Sequence, residues 1–526
     1  MEGIFMKKLL KRLAALLTVA ATVFSVTACE DLLGATSESE GMDVSSASNS
    51  VGASSESFTS TQSESLEESI VSESIEESIA GSEDSESIEE ESTSEEDSES
   101  ASKEPETPQQ ALVYDGSEVT VTFYHTMGAT QRAVFEESLE AFNKLYPNIT
   151  VVHESKGSAS MLREEITYSL MSNSAPTIAF CAPEDLVYYR NQQALVNLDE
   201  ELFDSTEKAV AAGGKTEMMG FTQAQANDFQ LGFLEGERYF GGGDLYSLPV
   251  YALTSVMYYN KTYFEANRLT VPTTWKEVEE VCAAIKAKKE NCCPLAIDGD
   301  ADLFITRAEQ LGEPYVSETG EKLFNTAKNR AMVEELREWY EKGYIITDGI
   351  WESYTSGLLQ SGDAYMSIAS VASSSWYETN AFEVGVAMIP QENANAKVPM
   401  FNTSVCLFKQ EDLQETAAAW LLMKHLSSSV EYQAGMSMEY GCLPVVRSVL
   451  ENAAYQEFTQ KTELKAQVIK QAWNQMSAYF MTPVFEGARQ VKMDVEELII
   501  DCLSEKLPSG KTAAEFIKEK FDGITK

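Results

Sequence analysis

The sequence predicts an α/β protein made of two lobes. Three observations carry that reading. Strand-like and helix-like runs alternate from residue 119 onward, capping boxes open two of the helices, and about 410 residues (117–526) are left to fold once a low-complexity stretch is excluded. That length exceeds what one hydrophobic core usually organises and suits two cores of ordinary size.

Taken in order, residues 119–124 (VTVTFY) read as a strand, rich in β-branched and aromatic side chains. The next run sets Phe135, Leu139, Phe142 and Tyr146 on one helical stripe, which Pro147 ends. Residues 149–152 (ITVV) are a second strand, 160–171 a second helix and 177–180 (TIAF) a third strand. Strand, helix, strand at this spacing is the βαβ unit of a parallel sheet with helices on its faces. Further on, Thr274 with Glu277 and Thr512 with Glu515 have capping-box spacing, in which hydroxyl and carboxylate satisfy free N–H groups at a helix start.

The N-terminus carries an address. Lys7, Lys8, Lys11 and Arg12 precede an apolar run from Leu13 to Val26. That run is shorter than the roughly 20 residues a membrane helix needs, and with its basic start it has the pattern of a secretory signal. Val26-Thr27-Ala28-Cys29 resembles a bacterial lipobox. The resemblance implies a cleaved leader over 1–28, a lipid on Cys29 and an anchored start over 29–36, on the outer face of the cytoplasmic membrane. Residues 37–116 then read as a Ser/Glu-rich, disordered tether. Between 37 and 108 there are 22 acidic residues and one lysine, which supply −21 of the formal −45. Such a stretch buries too little apolar surface to offset its ordering entropy, and like charges keep it extended. The acidity also argues against nucleic acid as a partner and against docking on anionic lipid.

Chemistry is harder to find. Seven cysteines follow Cys29, an odd number without the doubled C-x-x-C spacing of a zinc site. They read as reduced thiols, with a Cys282–Cys292 bridge left open. Asp298, Asp300, Asp302 and Glu309 fall at positions 1, 3, 5 and 12 of a calcium-loop pattern. Position 6, however, is Leu303 where the turn needs glycine, and LFITRAEQL reads as helix. Gly-Lys-Thr at 214–216 and 510–512 lacks the earlier glycine of a phosphate loop, so both are turns. The three histidines form no zinc motif, and no G-x-S-x-G elbow occurs. The reading is of a binding protein without metal, cofactor or catalytic group. A glycan hydrolase using two carboxylates and a non-transport glycan-binding module stand as alternatives.

Several stretches resemble the extracellular solute-binding proteins of carbohydrate ABC transporters. The first is VTFYHTMGATQRAVFEESLEAFNKLYPNITV, similar to that family's opening strand–helix–strand. In LPVYALTSVMYYNKTYFEANRLTVPTTWKEV a proline-led crossover strand is followed by Tyr-Asn-Lys and Pro-x-Thr-Trp. SGLLQSGDAYMSIAS, FEVGVAMIP, AAAWLLMKHLSSSVEYQ and YGCLPVVRS come next, in the family's order. The resemblance implies a two-lobed, type II periplasmic-binding-protein-like fold with two or three crossover strands. Lobe 1 would be 117–250 and 387–430, and lobe 2 would be 251–386 and 431–526. It further implies a monomer that closes over its ligand and passes it to a membrane permease.

The most similar subgroup takes glycerol 3-phosphate, but its site residues match poorly here. Its tyrosine falls on Cys442, its serine pair on Ala252 and Leu253, and its paired glycines near Phe401 and Asn402. With those groups lost, a neutral sugar, oligosaccharide or polyol is expected. The candidate ligand-binding residues are Glu184 as hydroxyl acceptor, Tyr251 and Trp376 as stacking faces, and Asn402 as a planar amide. Asp302, Ser370, His125 and Arg489 complete the set.

Overall fold

The computed structural model of the chain describes residues 112–230 and 232–525. The leader, Cys29 and 37–111 of the tether lie outside the described residues. Residues 112–116 belong to the fold, five residues before the expected start. Leu112 and Tyr114 are buried in the first core, the Tyr114 carbonyl accepts the Val210 N–H (2.9 Å), and the Asp115 N–H donates to Gln414 Oε1 (2.8 Å). Apolar side chains at 112 and 114 distinguish this end from the Ser/Glu run before it.

The chain opens with β1 (Val119–His125), α1 (Ala129–Leu145), β2 (Ile149–Ser155), α2 (Ala159–Met171), β3 (Ile178–Cys181) and α3 (Pro183–Asn191). The three strands are parallel, with Val119 opposite Ile149 and Phe123 opposite Ile178, as the βαβ pattern requires. A short hairpin, β4 (Lys208–Val210) and β5 (Thr216–Met218), and α4 (Phe233–Phe240) lead to the 14-residue strand β6 (Ser247–Asn260). Then come α5 (Trp275–Lys288), β7 (Leu295–Ile297), α6 (Asp300–Leu311), α7 (Ala327–Glu341), β8 (Ile345–Thr347), β9 (Met366–Ser370), β10 (Val384–Ala387) and β11 (Val398–Leu407). The chain closes with α8 (Leu413–Ser428), α9 (Val430–Tyr440), α10 (Leu464–Asn474), β12 (Tyr479–Phe480), α11 (Ala488–Ser504) and α12 (Ala513–Ile524).

The main sheet runs β2-β1-β3-β11-β6-β9-β7-β8, with β10 on β6 and β12 on β11. β6 is long enough to serve both lobes. Its first half pairs antiparallel with β11, and its second half pairs with β9 and β10. One hydrophobic core gathers around β1, β3 and α8 and another around β7, α5 and α11. Both capping boxes form: Thr274 Oγ1 accepts the Glu277 N–H (3.2 Å) while Glu277 Oε2 accepts that of Thr274 (3.2 Å), and Thr512 with Glu515 repeats the exchange.

The expected lobe bounds are corrected in three places. Val371, Tyr377 and Val384 of 251–386 are buried in the first core, and Ile389 and Val398 of 387–430 in the second. The largest change follows α8. The expectation put 431–526 in lobe 2, yet Tyr432, Tyr455, Val468 and Ile469 are buried in the first core. The reason is local. Only Ser429 separates α8 from α9, so the chain has no length in which to cross, and α9 packs on α1. The contact is close at Gly435, where a β-carbon would stand 2.9 Å from Val134 Cγ1. The crossing comes later, between Ala472 in the first core and Ala478 in the second.

The other motifs settle as turns and helices. Gly214 (φ +74°) lies in the β4–β5 hairpin and Gly510 (φ +84°) just before α12. Residues 300–311 are helical, so the calcium-loop spacing never closes into a loop. All seven described cysteines are free, Cys282 and Cys292 included. Among the described residues no helix is long and apolar enough to cross a membrane, and no group of three or more His, Cys, Asp or Glu is placed to hold a metal ion.

Candidate functional site

Where the crossing segments meet the two cores there is a cavity of about 220 Å³. Lobe 1 supplies Glu184 at the start of α3 and Phe240 at the end of α4; lobe 2 supplies Tyr315 and Lys492 of α11. The crossing chain supplies Phe401 and Asn402 of β11 and the run 481–485 after β12. Sites at the interface of two lobes and beyond the C-terminal ends of parallel strands are the usual place for small ligands.

Its polar groups divide into engaged and unengaged. Lys492 donates to Asp302 across 2.7 Å. Burial works against the ammonium, but Asp302, and beyond it Glu184 and Glu496, outweigh burial and hold its pKa above the ordinary value. Asn402 is buried and its Nδ2 donates to Glu237 Oε1 (2.9 Å) and to the Phe233 carbonyl (3.5 Å). By contrast Tyr315 Oη and Asn402 Oδ1 are buried without a hydrogen-bond partner among the described residues. Leaving such atoms unpaired costs about 1–3 kcal/mol each; both belong to residues of the cavity wall but are shut off from solvent as the lobes stand, so a ligand reaches them only when the wall moves.

Of the residues chosen from sequence, the structure brings Glu184 and Asn402 to this cavity. Asp302 stands behind it through Lys492, and also borders a small pocket of about 20 Å³ with Ser255 and Thr306, room for about one water. Arg489 follows the lining Ala488 without lining the cavity itself, and donates from α11 to Ser160 Oγ of α2 (3.2 Å). The other four do not line it. Tyr251 is buried in the first core, edge-on to Phe180 and Tyr440, so it offers no stacking face, and burial raises its hydroxyl pKa. Ser370 Oγ accepts the Ala372 N–H (3.2 Å). Trp376 is 70 % exposed on the short helix Ser374–Tyr377. His125 is fully buried; its Nδ1 accepts the Met127 N–H, so its Nε2 carries the proton toward His153 Nδ1 (3.1 Å each). Burial, and then His153, push its pKa down to about 4.

Sequence reasoning missed Phe240, Tyr315, Met481, Phe485 and Lys492. They come from four separated segments, and none sits in a motif or in one of the stretches that carry the family resemblance.

The sequence profile of a bacterial extracellular solute-binding protein family matches residues 137–478. Over 76 residues (14% of this chain) the sequence is 41% identical to a multiple sugar-binding protein of Streptococcus mutans, and the match spans 17% of that relative's length. Among solved structures, the cyclic α-maltosyl-1,6-maltose binding protein of Arthrobacter globiformis is similar at 18% identity and TM-score 0.60, covering 78% of this chain and 98% of its own. UgpB of Mycobacterium tuberculosis with glycerophosphocholine is similar at 15% identity and TM-score 0.63, covering 77% and 98%. The sugar-binding protein MalE of Xanthomonas citri is similar at 18% identity and TM-score 0.61, covering 77% and 97%. At these identities the three share the fold.

Proposed function

The chain belongs to the bacterial extracellular solute-binding proteins, and from that membership and the lining of the cleft we propose that it captures a sugar, oligosaccharide or polyol between its lobes and delivers it to the permease of an ABC importer. The observation that carries the ligand class is the pair of orphaned atoms, Tyr315 Oη and Asn402 Oδ1, in a wall that also holds aromatic rings and the Glu184 carboxyl. A hydroxyl-rich ligand answers both kinds of surface. Its C–H faces suit the rings of Phe240, Phe401 and Phe485, and its hydroxyls both donate and accept. The cavity is smaller than the roughly 300–1,000 Å³ of drug-sized pockets, so an oligosaccharide enters only as the lobes part. A glycerol-phosphate ligand fits less well, because the lining cation Lys492 is already held by Asp302 and Glu184 adds negative charge. No covalent step is called for, and a lipid on Cys29 would keep the receptor beside its permease; Cys29→Ser releasing the chain into the medium checks the anchor.

Titration of the purified chain with neutral mono-, di- and trisaccharides, sugar alcohols and glycerol 3-phosphate, followed by calorimetry and tryptophan fluorescence, tests the proposal. Saturable binding of at least one neutral compound, recovered unaltered, is expected. Binding of glycerol 3-phosphate alone, or conversion of the sugar, would sink it.

A further inference from the structure

Glu237 does not line the ligand cavity, yet it governs a residue that does. It stands in α4 with no solvent exposure, and burial lifts its carboxyl pKa although three hydrogen bonds pull the other way. All three partners are uncharged. Ser247 Oγ donates to Oε2, and Ser404 Oγ (2.7 Å) and Asn402 Nδ2 (2.9 Å) donate to Oε1. These partners sit on both long strands that run between the lobes. Ser247 begins β6, and Asn402 and Ser404 flank Thr403 at the register shift in β11. A buried carboxyl group without a counter-charge is a poor way to stabilise a core, since an apolar side chain of like size avoids the desolvation. Its retention here has a better explanation in what it does to Asn402.

The two ends of an amide are chemically opposite, one a double donor and the other an acceptor. In Asn402 the nitrogen is spent on Glu237 and on the Phe233 carbonyl. Rotating the amide by half a turn would set Oδ1 against Glu237 Oε1, acceptor against acceptor. The carboxyl group therefore fixes which end faces away from it, and that end, Oδ1, is the unpartnered atom of this cavity-lining residue, shielded from solvent until the wall moves to admit a ligand. Gly236, the residue before, keeps the helix close: a β-carbon there would be 2.9 Å from the cavity-lining Met481.

We infer that Glu237 is a positioning residue for ligand selection: through Asn402 it fixes an acceptor rather than a donor in the cavity wall, so that the site takes ligands presenting a hydroxyl there in preference to phosphates and carboxylates. The inference rests on the cavity being the ligand site. Glu184 is a second acceptor in the same wall, so a ligand bridging the two must donate twice.

The test uses the full chain with maltotriose and glycerol 3-phosphate as probes. Glu237→Met removes the acceptor at similar size, Glu237→Gln keeps one acceptor oxygen, and Asn402→Leu removes the amide. Maltotriose affinity is expected to fall about tenfold in Glu237→Met and by less in Glu237→Gln. The double variant with Asn402→Leu should bind no more weakly than Asn402→Leu alone, and the preference for maltotriose over glycerol 3-phosphate should shrink in Glu237→Met. Wild-type affinity in Glu237→Met, or losses that multiply in the double variant, would overturn the inference while leaving the sugar-binding proposal standing. A ligand-free measurement separates the two further. The Asn402 side-chain NH2, assigned by its absence in Asn402→Leu, should exchange slowly in the unliganded wild type, fast in Glu237→Met and at an intermediate rate in Glu237→Gln. Fast exchange in the wild type overturns the inference whichever probe binds, and slow exchange sustains it even if maltotriose proves the wrong sugar or Glu237→Met fails to fold.

Discussion

Asp300 opens α6 with its carboxyl group buried and one oxygen accepting the Gly349 N–H (3.1 Å). Burial, reinforced by neighbouring Asp348, raises its pKa from 3.8 to about 7. An acid whose pKa rises on folding favours the fold in its protonated form. Its contribution is therefore complete below pH 3.8 and is lost as pH climbs through about 7. Asp300→Asn cannot ionise and escapes that loss. The variant is expected to be more stable than wild type by about 1–3 kcal/mol at roughly pH 8 and to show little difference at about pH 4. Chemical denaturation at the two values measures it; a variant less stable at the higher pH would mean that the charged carboxylate is instead well solvated by the backbone around it. His125 has the opposite sign. Its depressed pKa of about 4 makes the neutral ring the folded form, and stability is lost as pH falls below 6.5.

Among the elements, α4 ties the cavity to the crossing strands, and Gly236 is its closest approach. Alanine in a helix interior is intrinsically better than glycine by about 0.5–1 kcal/mol, but here the added carbon meets the Met481 Sδ and Cε at 2.9 Å. The end of a methionine is flexible, so it gives way, and Met481 lines the cavity. Gly236→Ala is thus expected to change stability by less than about 1 kcal/mol while weakening ligand binding several-fold. Thermal melts and titrations on one preparation compare the two; a large stability loss with binding intact would contradict this account of the contact. The same elements show what a sequence discloses. β1, β2 and β3 were legible because β-branched and aromatic runs alternate with helical stripes, and the two capping boxes because their bonds span three residues. The cavity was legible only where an element end or a resemblance marked it, at Glu184 and Asn402. Glu237 was not: in a chain of 84 acidic residues, one glutamate in a short helix carries no local signal. Tyr251 misled because its part of the strand, Ser247 to Ala252, is buried on both faces, so being aromatic near a crossover did not mean facing the cleft. The placement of 431–472 failed because packing of α9 on α1, a long-range contact, decides it.

At the scale of the whole molecule, two polar contacts join the lobes through residues adjacent in the chain to the cavity-lining Phe485 and Ala488. Arg489 of α11 reaches Ser160 of α2 (3.2 Å), and Asn191 at the end of α3 donates to Glu486 just before α11 (3.1 Å). Partly exposed bonds of this kind contribute about 0.2–1 kcal/mol apiece, too little to hold the lobes together against solvent but enough to bias an equilibrium between arrangements. If the ligand binds only when the lobes are apposed, its apparent affinity scales with the fraction of molecules so arranged. Removing one contact by Asn191→Ala is expected to weaken binding about two- to fivefold. Arg489→Ala should do the same, and the two effects should multiply because the contacts share no residue. Neither substitution touches the cavity wall or a core, so melting temperature should be nearly unchanged. Small-angle scattering of the unliganded variants should show a larger radius of gyration than wild type, converging on one value when ligand saturates. Arg489 also lowers the pKa of buried Asp185, against the burial that raises it, so its loss alone would confound charge with geometry. Asn191→Ala carries no charge change and decides between them. Weakened binding in Arg489→Ala with wild-type binding in Asn191→Ala would assign the effect to the charge of Arg489, and the two contacts would then have no part in closing the lobes.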